Sequence, residues 1–74
     1  MNDRIVKLDV RGLEPPQPLI MILETLAALP PGARLHARTD RRPMLLYAQL
    51  EQRGCTAETE EQSDGSFLTY VSRI

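Results

Sequence analysis

Cysteine, histidine and aromatic residues are scarce in this chain, and their scarcity narrows the chemistry open to it. The 74 residues include one cysteine, one histidine, two tyrosines, one phenylalanine and no tryptophan. A single cysteine cannot form an internal disulfide, which agrees with a reducing cytoplasm. One histidine and one cysteine are too few for a zinc site, and no Ser–His–Asp or Cys–His catalytic set can be assembled. We therefore expect no catalytic residues, no metal and no cofactor.

The chain also lacks a strong excess of either charge and any long hydrophobic run. Its formal net charge is −1, so no general electrostatic attraction draws it to nucleic acid or acidic membranes. The longest apolar run, residues 19–23, ends at Glu24 and is far shorter than the ~20 residues that span a bilayer. No apolar signal region follows the first four residues. We expect a cytoplasmic protein with no membrane segment.

The length of the chain predicts one domain, residues 1–74, with a small core. A domain of this size buries about 60% of the surface that its unfolded chain exposes, so its stability is low. Neither a disulfide nor a metal cluster is available to add to it. A homodimer, or a place in a larger assembly, would supply further buried area.

Hydrophobic periodicity predicts six elements in the order β-α-β-α-β-β. Segments with alternating apolar residues are predicted strands: 5–10, 33–39, Cys55–Glu61 and Phe67–Arg73. Segments with apolar residues every three to four positions are predicted helices: 19–29, with Leu19, Ile22, Leu23 and Leu26, and the segment around Leu46, Tyr47 and Leu50.

Prolines, glycines and one aspartate mark where these elements begin and end. Pro18 and Pro43 are predicted in the first turns of the two helices, where proline is tolerated. Asp40 is predicted as the N-cap of the second helix, and Gly54 as the residue that ends it. The Asp-Gly pair at 64–65 predicts a hairpin turn before the last strand.

The order of elements predicts an α/β (α+β) two-layer sandwich. Two strand–helix–strand units require parallel neighbouring strands joined by right-handed crossovers, and the closing hairpin adds one antiparallel strand. Both helices then share one face of a four-stranded mixed sheet. The other face of the sheet is left open to water or to a partner.

The residues around the first turn resemble the signature of TusA/SirA-like sulfur carriers. An Asp-x-Arg-Gly-Leu element occupies residues 9–13, and residues 15–18 are Pro-Pro-Gln-Pro where those carriers have Cys-Pro-x-Pro. Pro15 therefore stands at the position of the sulfur-carrying thiol. The chain looks most like a cysteine-less sister group, described only as a domain of unknown function, whose members resemble one another here and in Asp-Arg-Arg-Pro at 40–43.

The resemblance implies the two-layer fold and removes the carrier chemistry. That chemistry needs a thiolate at a helix start, where the positive end of the helix lowers the thiol pKa. Pro15 has no thiol and, like Pro16 and Pro18, no backbone N–H to hold an anion. Cys55 opens a strand, where a small buried residue is usual, so we expect it to be structural.

Polar residues follow the first and second predicted strands, at the edge where two helix N-termini should meet. The candidate binding residues are Arg11, Glu14, Gln17, Asp40, Arg41 and Arg42. Three guanidinium groups suit a carboxylate, a phosphate or a sulfur oxyanion. The alternative is that Arg11 pairs with Asp40 or Glu14 and only holds the turns together.

These observations favour a non-enzymatic cytoplasmic binding or adaptor module that contacts a protein partner or a small anion at this edge. A first alternative is a thiol-less regulator or docking component of a sulfur-relay system. A second is a nucleic-acid-binding domain that uses a basic strip on the open sheet face: Lys7, Arg34, His36 and Arg38. Nucleic acid is the weakest of these expectations, because recognition on a sheet face normally needs several exposed rings.

Overall fold

The computed structural model describes residues 4–73 and has the predicted order of elements. They are β1 (Ile5–Asp9), α1 (Gln17–Ala27), β2 (Arg34–Thr39), α2 (Met44–Gln52), β3 (Cys55–Glu61) and β4 (Phe67–Arg73). Both helices bury side chains in the same core beside Leu35 and Ala37 of β2, so both cover one face of the sheet. The predicted two-layer α+β sandwich with a four-stranded mixed sheet is confirmed. Neither helix in this part of the chain is long and apolar enough to cross a membrane.

The order of the strands is β1-β2-β4-β3, which corrects one prediction. β1 and β2 are parallel neighbours as expected, but β2 and β3 are separated by β4, which is antiparallel to both. The reason lies in the side chains of the two hairpin strands. Thr69 and Val71 of β4 are completely buried, whereas β3 carries three glutamates. Charged residues suit a sheet edge, so β3 lies outside and β4 inside.

The core fills the space between the sheet and the helices. Its largest fully buried side chains, exposed by less than 2%, are Ile22, Leu35, Leu46, Leu50, Val10, Val71 and Thr69. The predicted stripe of α1 is present: Ile22 and Leu26 are buried, while Leu19 and Leu23 are half-buried against them. Both ends of α1 lie two residues earlier than predicted, at 17 and 27 instead of 19 and 29, and Pro18 lies in its first turn.

The start of α2 differs from the prediction, while its end agrees with it. Pro43 is the N-cap residue, just before the first turn, and no side chain caps the helix. Asp40, predicted as the N-cap, lies too far back along the chain and accepts a hydrogen bond from the backbone N–H of Gly12 at 2.6 Å. Gly54 follows the C-cap residue Arg53 with φ +70°, the left-handed conformation in which glycine ends many helices.

Along the strand direction, the sheet has two opposite ends. At one end, called here the helix-start edge, Thr39 pairs with Phe67 where β1 and β2 end and the connections to the helices begin. At the other end Cys55 pairs with Arg73. The Cys55 side chain is buried, with its residue 7% exposed, as expected of a structural cysteine. The thiol of Cys55 therefore lies at the opposite end of the sheet from Pro15, and it cannot replace the thiol that is missing at Pro15.

Candidate functional site

A groove of about 680 Å³ lies at the helix-start edge, between the N-terminal ends of α1 and α2. We call it the helix-start groove. Most of its wall is apolar, with side chains from the β1–α1 connection, α1 and the start of α2: Leu13, Pro15, Pro16, Pro18, Leu19, Met44 and Leu45. Polar groups lie on its rim, from Glu14 on one side and Arg41 and Arg42 on the other.

The first turn of α2 exposes two large apolar side chains in this groove. Met44 is 65% exposed and Leu45 is 79% exposed, whereas the next residue, Leu46, is 1% exposed and belongs to the core. The helix thus directs one of three consecutive apolar residues inward and leaves two uncovered. Contiguous exposed apolar groups in a concave surface are typical of protein or ligand contacts.

The guanidinium group of Arg11 is held by two carboxylates. It donates to Asp9 from Nε at 2.9 Å and from Nη2 at 2.6 Å, and to Asp64 from Nη1 at 3.3 Å. The side-chain hydrogen bonds from Arg11, with a further one from its backbone, lower the pKa of Asp9 to about 2. The side-chain hydrogen bonds to Asp9 in turn raise the pKa of Arg11. Arg11 therefore holds the turn together, through Asp9 and Asp64 rather than through Asp40 or Glu14.

Asp40 connects the two segments that form the groove. Its Oδ2 accepts the hydrogen bond from Gly12, whose φ of +82° is in the left-handed region that favours glycine. In the next residues, the hydroxyl of Thr39 donates to the backbone carbonyl of Arg41 at 2.6 Å. The bond between Asp40 and Gly12 fixes the β2–α2 connection against the β1–α1 turn, and the bond of Thr39 is local to the β2–α2 connection.

The two arginines after Asp40 differ in their contacts. The guanidinium of Arg42 lies over the ring of Phe67, 5.1 Å from its centroid, which is a cation–π arrangement. Within residues 4–73 the side chain of Arg41 forms no hydrogen bond or ion pair. Arg41 is thus the guanidinium group best placed to meet a ligand in the groove.

The structure brings four of the six candidate residues to the groove and leaves two outside it. Glu14, Asp40, Arg41 and Arg42 line the groove, whereas Arg11 and Gln17 do not. The predicted grip of three guanidinium groups on one anion is not formed, because Arg11 faces Asp9 and Asp64. Across the described part of the chain, no three His, Cys, Asp or Glu side chains lie close enough together to hold a metal ion.

The exposure of Met44 and Leu45 was not predicted from the sequence. A signal was present, because three apolar residues in succession at 44–46 cannot all face inward from one helix. The pairing of Arg11 with Asp9 and Asp64 was not predicted either. Asp64 was assigned to the hairpin turn, where it accepts hydrogen bonds from the backbone and hydroxyl of Ser66, and its approach to Arg11 depends on the tertiary fold.

The alternative basic strip does lie on one surface. Arg34, His36 and Arg38 alternate with buried residues of β2, and Lys7 pairs with His36. Burial, helped by the charges of Lys7 and Arg34, lowers the pKa of His36. The His36 ring packs edge-to-face against Tyr70, with centroids 4.7 Å apart.

Comparison with known proteins agrees with this architecture. The family described as "Uncharacterized conserved protein (DUF2249)" matches residues 7–73. The chain belongs to this family. No curated protein matches it.

The fold of this DUF2249 chain is similar to the crystal structure of a SirA-like protein from Desulfitobacterium hafniense. The TM-score is 0.78 and the identity 24%, over 95% of this chain and 99% of the other. Identity at this level shows the fold alone. The predicted SirA-like fold, in a domain family of unknown function, is confirmed.

Proposed function

We propose that this protein is a non-enzymatic cytoplasmic binding module that holds an apolar segment of a partner protein in the helix-start groove. The observation that carries the proposal is the exposure of Met44 and Leu45 beside a guanidinium group, that of Arg41, without a partner in residues 4–73. In this arrangement Met44 and Leu45 bury apolar surface of the partner, and Arg41 pairs with a carboxylate next to it.

A protein segment fits the groove better than a small anion does. An anion site at a helix start depends on backbone N–H donors, and the prolines at 15, 16 and 18 have none. Of the guanidinium groups near this edge, Arg11 is bound by carboxylates and Arg42 lies over Phe67. Arg41 alone would provide weak binding of an anion, whereas the apolar wall suits several side chains of a partner.

A second candidate is a docking component of a sulfur-relay system that has no thiol of its own. The observation that favours it is the position of Pro15, which lines the groove where the resemblance places a carrier's thiol. A relay protein that recognises the helix start of a carrier would approach this same surface. The second candidate therefore differs from the first in the identity of the partner and not in the binding site.

A photo-crosslinking experiment tests both candidates. The photoreactive residue p-benzoylphenylalanine replaces Leu45 in cells of the native host, and crosslinked proteins are identified by mass spectrometry. The matched control places it at Glu51, which is exposed on the same helix but lies outside the groove. We expect a crosslink to a protein from position 45 that is absent from position 51 and is lost when Arg41 is changed to Glu.

The identity of the captured protein separates the candidates. A cysteine desulfurase or a sulfurtransferase would support the sulfur-relay role, and any other single protein would support the more general module. Equal crosslinking from positions 45 and 51, or a crosslink that Arg41→Glu leaves unchanged, would contradict a partner in the groove. Binding of sulfate or phosphate that Arg41→Glu abolishes, in a chain that captures no protein, would instead favour the small anion.

A further inference from the structure

The backbone that lines the helix-start groove is poor in hydrogen-bond donors. Four residues of the lining are prolines, which have no backbone N–H: Pro15, Pro16, Pro18 and Pro43. The N–H groups of Gly12, Met44 and Leu46, which also line the groove, already donate within the chain. An extended segment of a partner protein would therefore bury many of its own carbonyl groups without a hydrogen bond, which costs free energy.

The two common ways of binding an extended segment do not fit this groove. A segment that adds a strand to a sheet needs the open edge of that sheet, and the edge strands β1 and β3 contribute no residue to the described lining. A polyproline segment docks between aromatic rings, and the lining within residues 4–73 has none. A helix satisfies its own backbone groups and presents side chains only, so it suits a groove of this kind.

The apolar groups of the groove suit the side chains of a helix. Met44 is 65% exposed and Leu45 is 79% exposed, and a methionine thioether adapts its shape to the side chains that contact it. Helices that bind in grooves place their apolar anchors at i, i+3 or i+4 and i+7, which spans about 10 Å. The other wall, from Pro16 to Ile22 at the start of α1, has nearly the same length, about 9 Å at ~1.5 Å per residue.

The two sides of the groove differ in charge. Glu14 is the charged residue on the β1–α1 side, and it forms no ion pair within residues 4–73. The β2–α2 side has Arg41 and Arg42 against one carboxylate, that of Asp40, which accepts the N–H of Gly12. A basic group facing Glu14 and an acidic group facing Arg41 would each meet the opposite charge.

We propose that the segment held in the helix-start groove is an amphipathic helix of the partner protein. Its apolar stripe lies between a flank of basic residues on the side of Glu14 and a flank of acidic residues on the side of Arg41. The inference rests on the proposed function and adds to it the conformation of the segment and the order of its charges. Arg11, the next charged residue on the β1–α1 side, does not alter this order, because Asp9 and Asp64 pair with it.

Selection from two libraries of displayed peptides, against the whole immobilised chain, tests the conformation. One library has an alanine-rich helical framework with randomised positions on one face. The other has the same randomised positions but a proline at every third residue, which prevents a helix. A peptide counts as a groove ligand when Leu45→Lys abolishes its binding. We expect groove ligands from the helical library alone, with large apolar residues at i, i+3 or i+4 and i+7.

Fluorescence anisotropy with the strongest helical peptide tests the order of charges. Glu14→Lys and Arg41→Glu should each raise the dissociation constant about threefold to tenfold, because each brings like charges together on one flank. A peptide with its two charged flanks exchanged should bind the wild type more weakly than the original, since reversing the helix direction would misplace its anchors. The double variant, with both charges reversed, should prefer the exchanged peptide. Glu24→Lys is the matched control on exposed α1 outside the groove and should leave the dissociation constant unchanged.

The outcomes separate this inference from the proposed function. Groove ligands from the proline library would overturn the helix and leave a partner segment in the groove, and helical ligands indifferent to both charge reversals would overturn the order of charges. Failure of both libraries would overturn the inference, whereas the proposed function fails only if photo-crosslinking from position 45 captures no protein. Binding of oleate that Arg41→Glu weakens, in a chain that selects no peptide, would assign the groove to a small amphipathic carboxylate instead.

Discussion

The helix-start edge contains two connections with similar residue types and opposite properties. In the β1–α1 turn, Arg11 is held by Asp9 and Asp64, and Gly12 donates its N–H to Asp40. In the β2–α2 connection, the Arg41 side chain has no such partner in the described chain, and Leu45 beyond it is 79% exposed. An arginine near a helix start is thus structural or available depending on the carboxylates that the fold brings to it.

The two connections therefore have different roles, one in the stability of the fold and one in binding. Carboxylate contacts fix the β1–α1 turn, and with it one wall of the helix-start groove, in a single geometry. The other wall carries the exposed side chains of Met44 and Leu45 and the guanidinium group of Arg41, which has no ion-pair partner within residues 4–73. Changing Arg11 should therefore change the stability of the fold, whereas changing Arg41 or Leu45 should change binding alone.

The largest difference is expected between two leucines changed in the same way. Leu26 is 2% exposed in the core and Leu45 is 79% exposed in the groove. Leu26→Ala should lower the free energy of unfolding by about 2–5 kcal/mol, because it removes buried contacts and leaves a cavity. Leu45→Ala should leave it unchanged within about 0.5 kcal/mol. Urea denaturation followed by circular dichroism measures both, and similar losses of stability in the two variants would show that Leu45 is buried in solution.

Much of the fold follows from local pattern. The strands alternate, the apolar stripe of α1 ends near Pro30, and Gly54 ends α2, so each element could be located from its own residues. The order of the strands in the sheet could not be predicted from local pattern. Whether β3 or β4 lies beside β2 depends on which strand is better buried on both sides, and the glutamates of β3 decide it. The glutamates of β3 therefore indicated its position at the edge of the sheet, although hydrophobic periodicity alone did not.

The site was predictable in place but not in detail. Parallel β1 and β2 bring two helix starts to one edge, so the sequence indicated the edge at which the groove lies, although it did not predict the groove. Which arginine lacks a carboxylate partner within residues 4–73 could not be derived, because Arg11 contacts Asp64, which lies 53 positions further along the chain. The same limit applies to Asp40. Its spacing suited a helix cap, but the turn at Gly12 competes for the same carboxylate.

Asp40 provides a test of the connection between the two walls of the groove. Asp40→Ala removes the acceptor for the Gly12 N–H and should lower the free energy of unfolding by about 1 kcal/mol, the usual net value of a hydrogen bond. Glu14→Ala is the matched control, since it deletes a carboxylate at the same edge that forms no ion pair in the described chain. If both variants unfold at the same urea concentration, the two connections are not held together by Asp40.

The two arginines Arg11 and Arg41 should also differ in their effect on stability. Arg11→Ala should lower the melting temperature slightly, because two carboxylates lose their shared partner, whereas Arg41→Ala should leave it unchanged. Exposed ion pairs contribute only about 0–1 kcal/mol, so differential scanning calorimetry on replicate samples is the appropriate measurement. The double change of Arg41 and Arg42 to alanine should behave like Arg41→Ala, apart from the loss of the contact with Phe67. A larger loss of stability in the double variant than in Arg11→Ala would reverse the assignment of roles.

The smallest effect is a change in how stability depends on acidity. Hydrogen bonds from Arg11 hold the pKa of Asp9 at about 2 in the folded state, below the value of about 3.9 expected for an unfolded chain. The unfolded state therefore binds a proton at Asp9 first as the pH falls. The stability supplied by this pair is fully present above a pH of about 4 and is lost as the pH approaches about 2.

Arg11→Ala should make that dependence shallower. Without the guanidinium group, the pKa of Asp9 in the folded state moves towards its unfolded value, so acidification removes less stability. Some slope should remain, because the pKa of Asp64 is lowered chiefly by hydrogen bonds from Ser66. Melting temperatures measured between a pH of about 5 and about 2 follow the effect, and Arg41→Ala should retain the wild-type slope. Identical slopes in wild type and Arg11→Ala would show that the bonds of Arg11 to Asp9 do not persist in solution, and the contrast between the two connections would then rest on Asp40 alone.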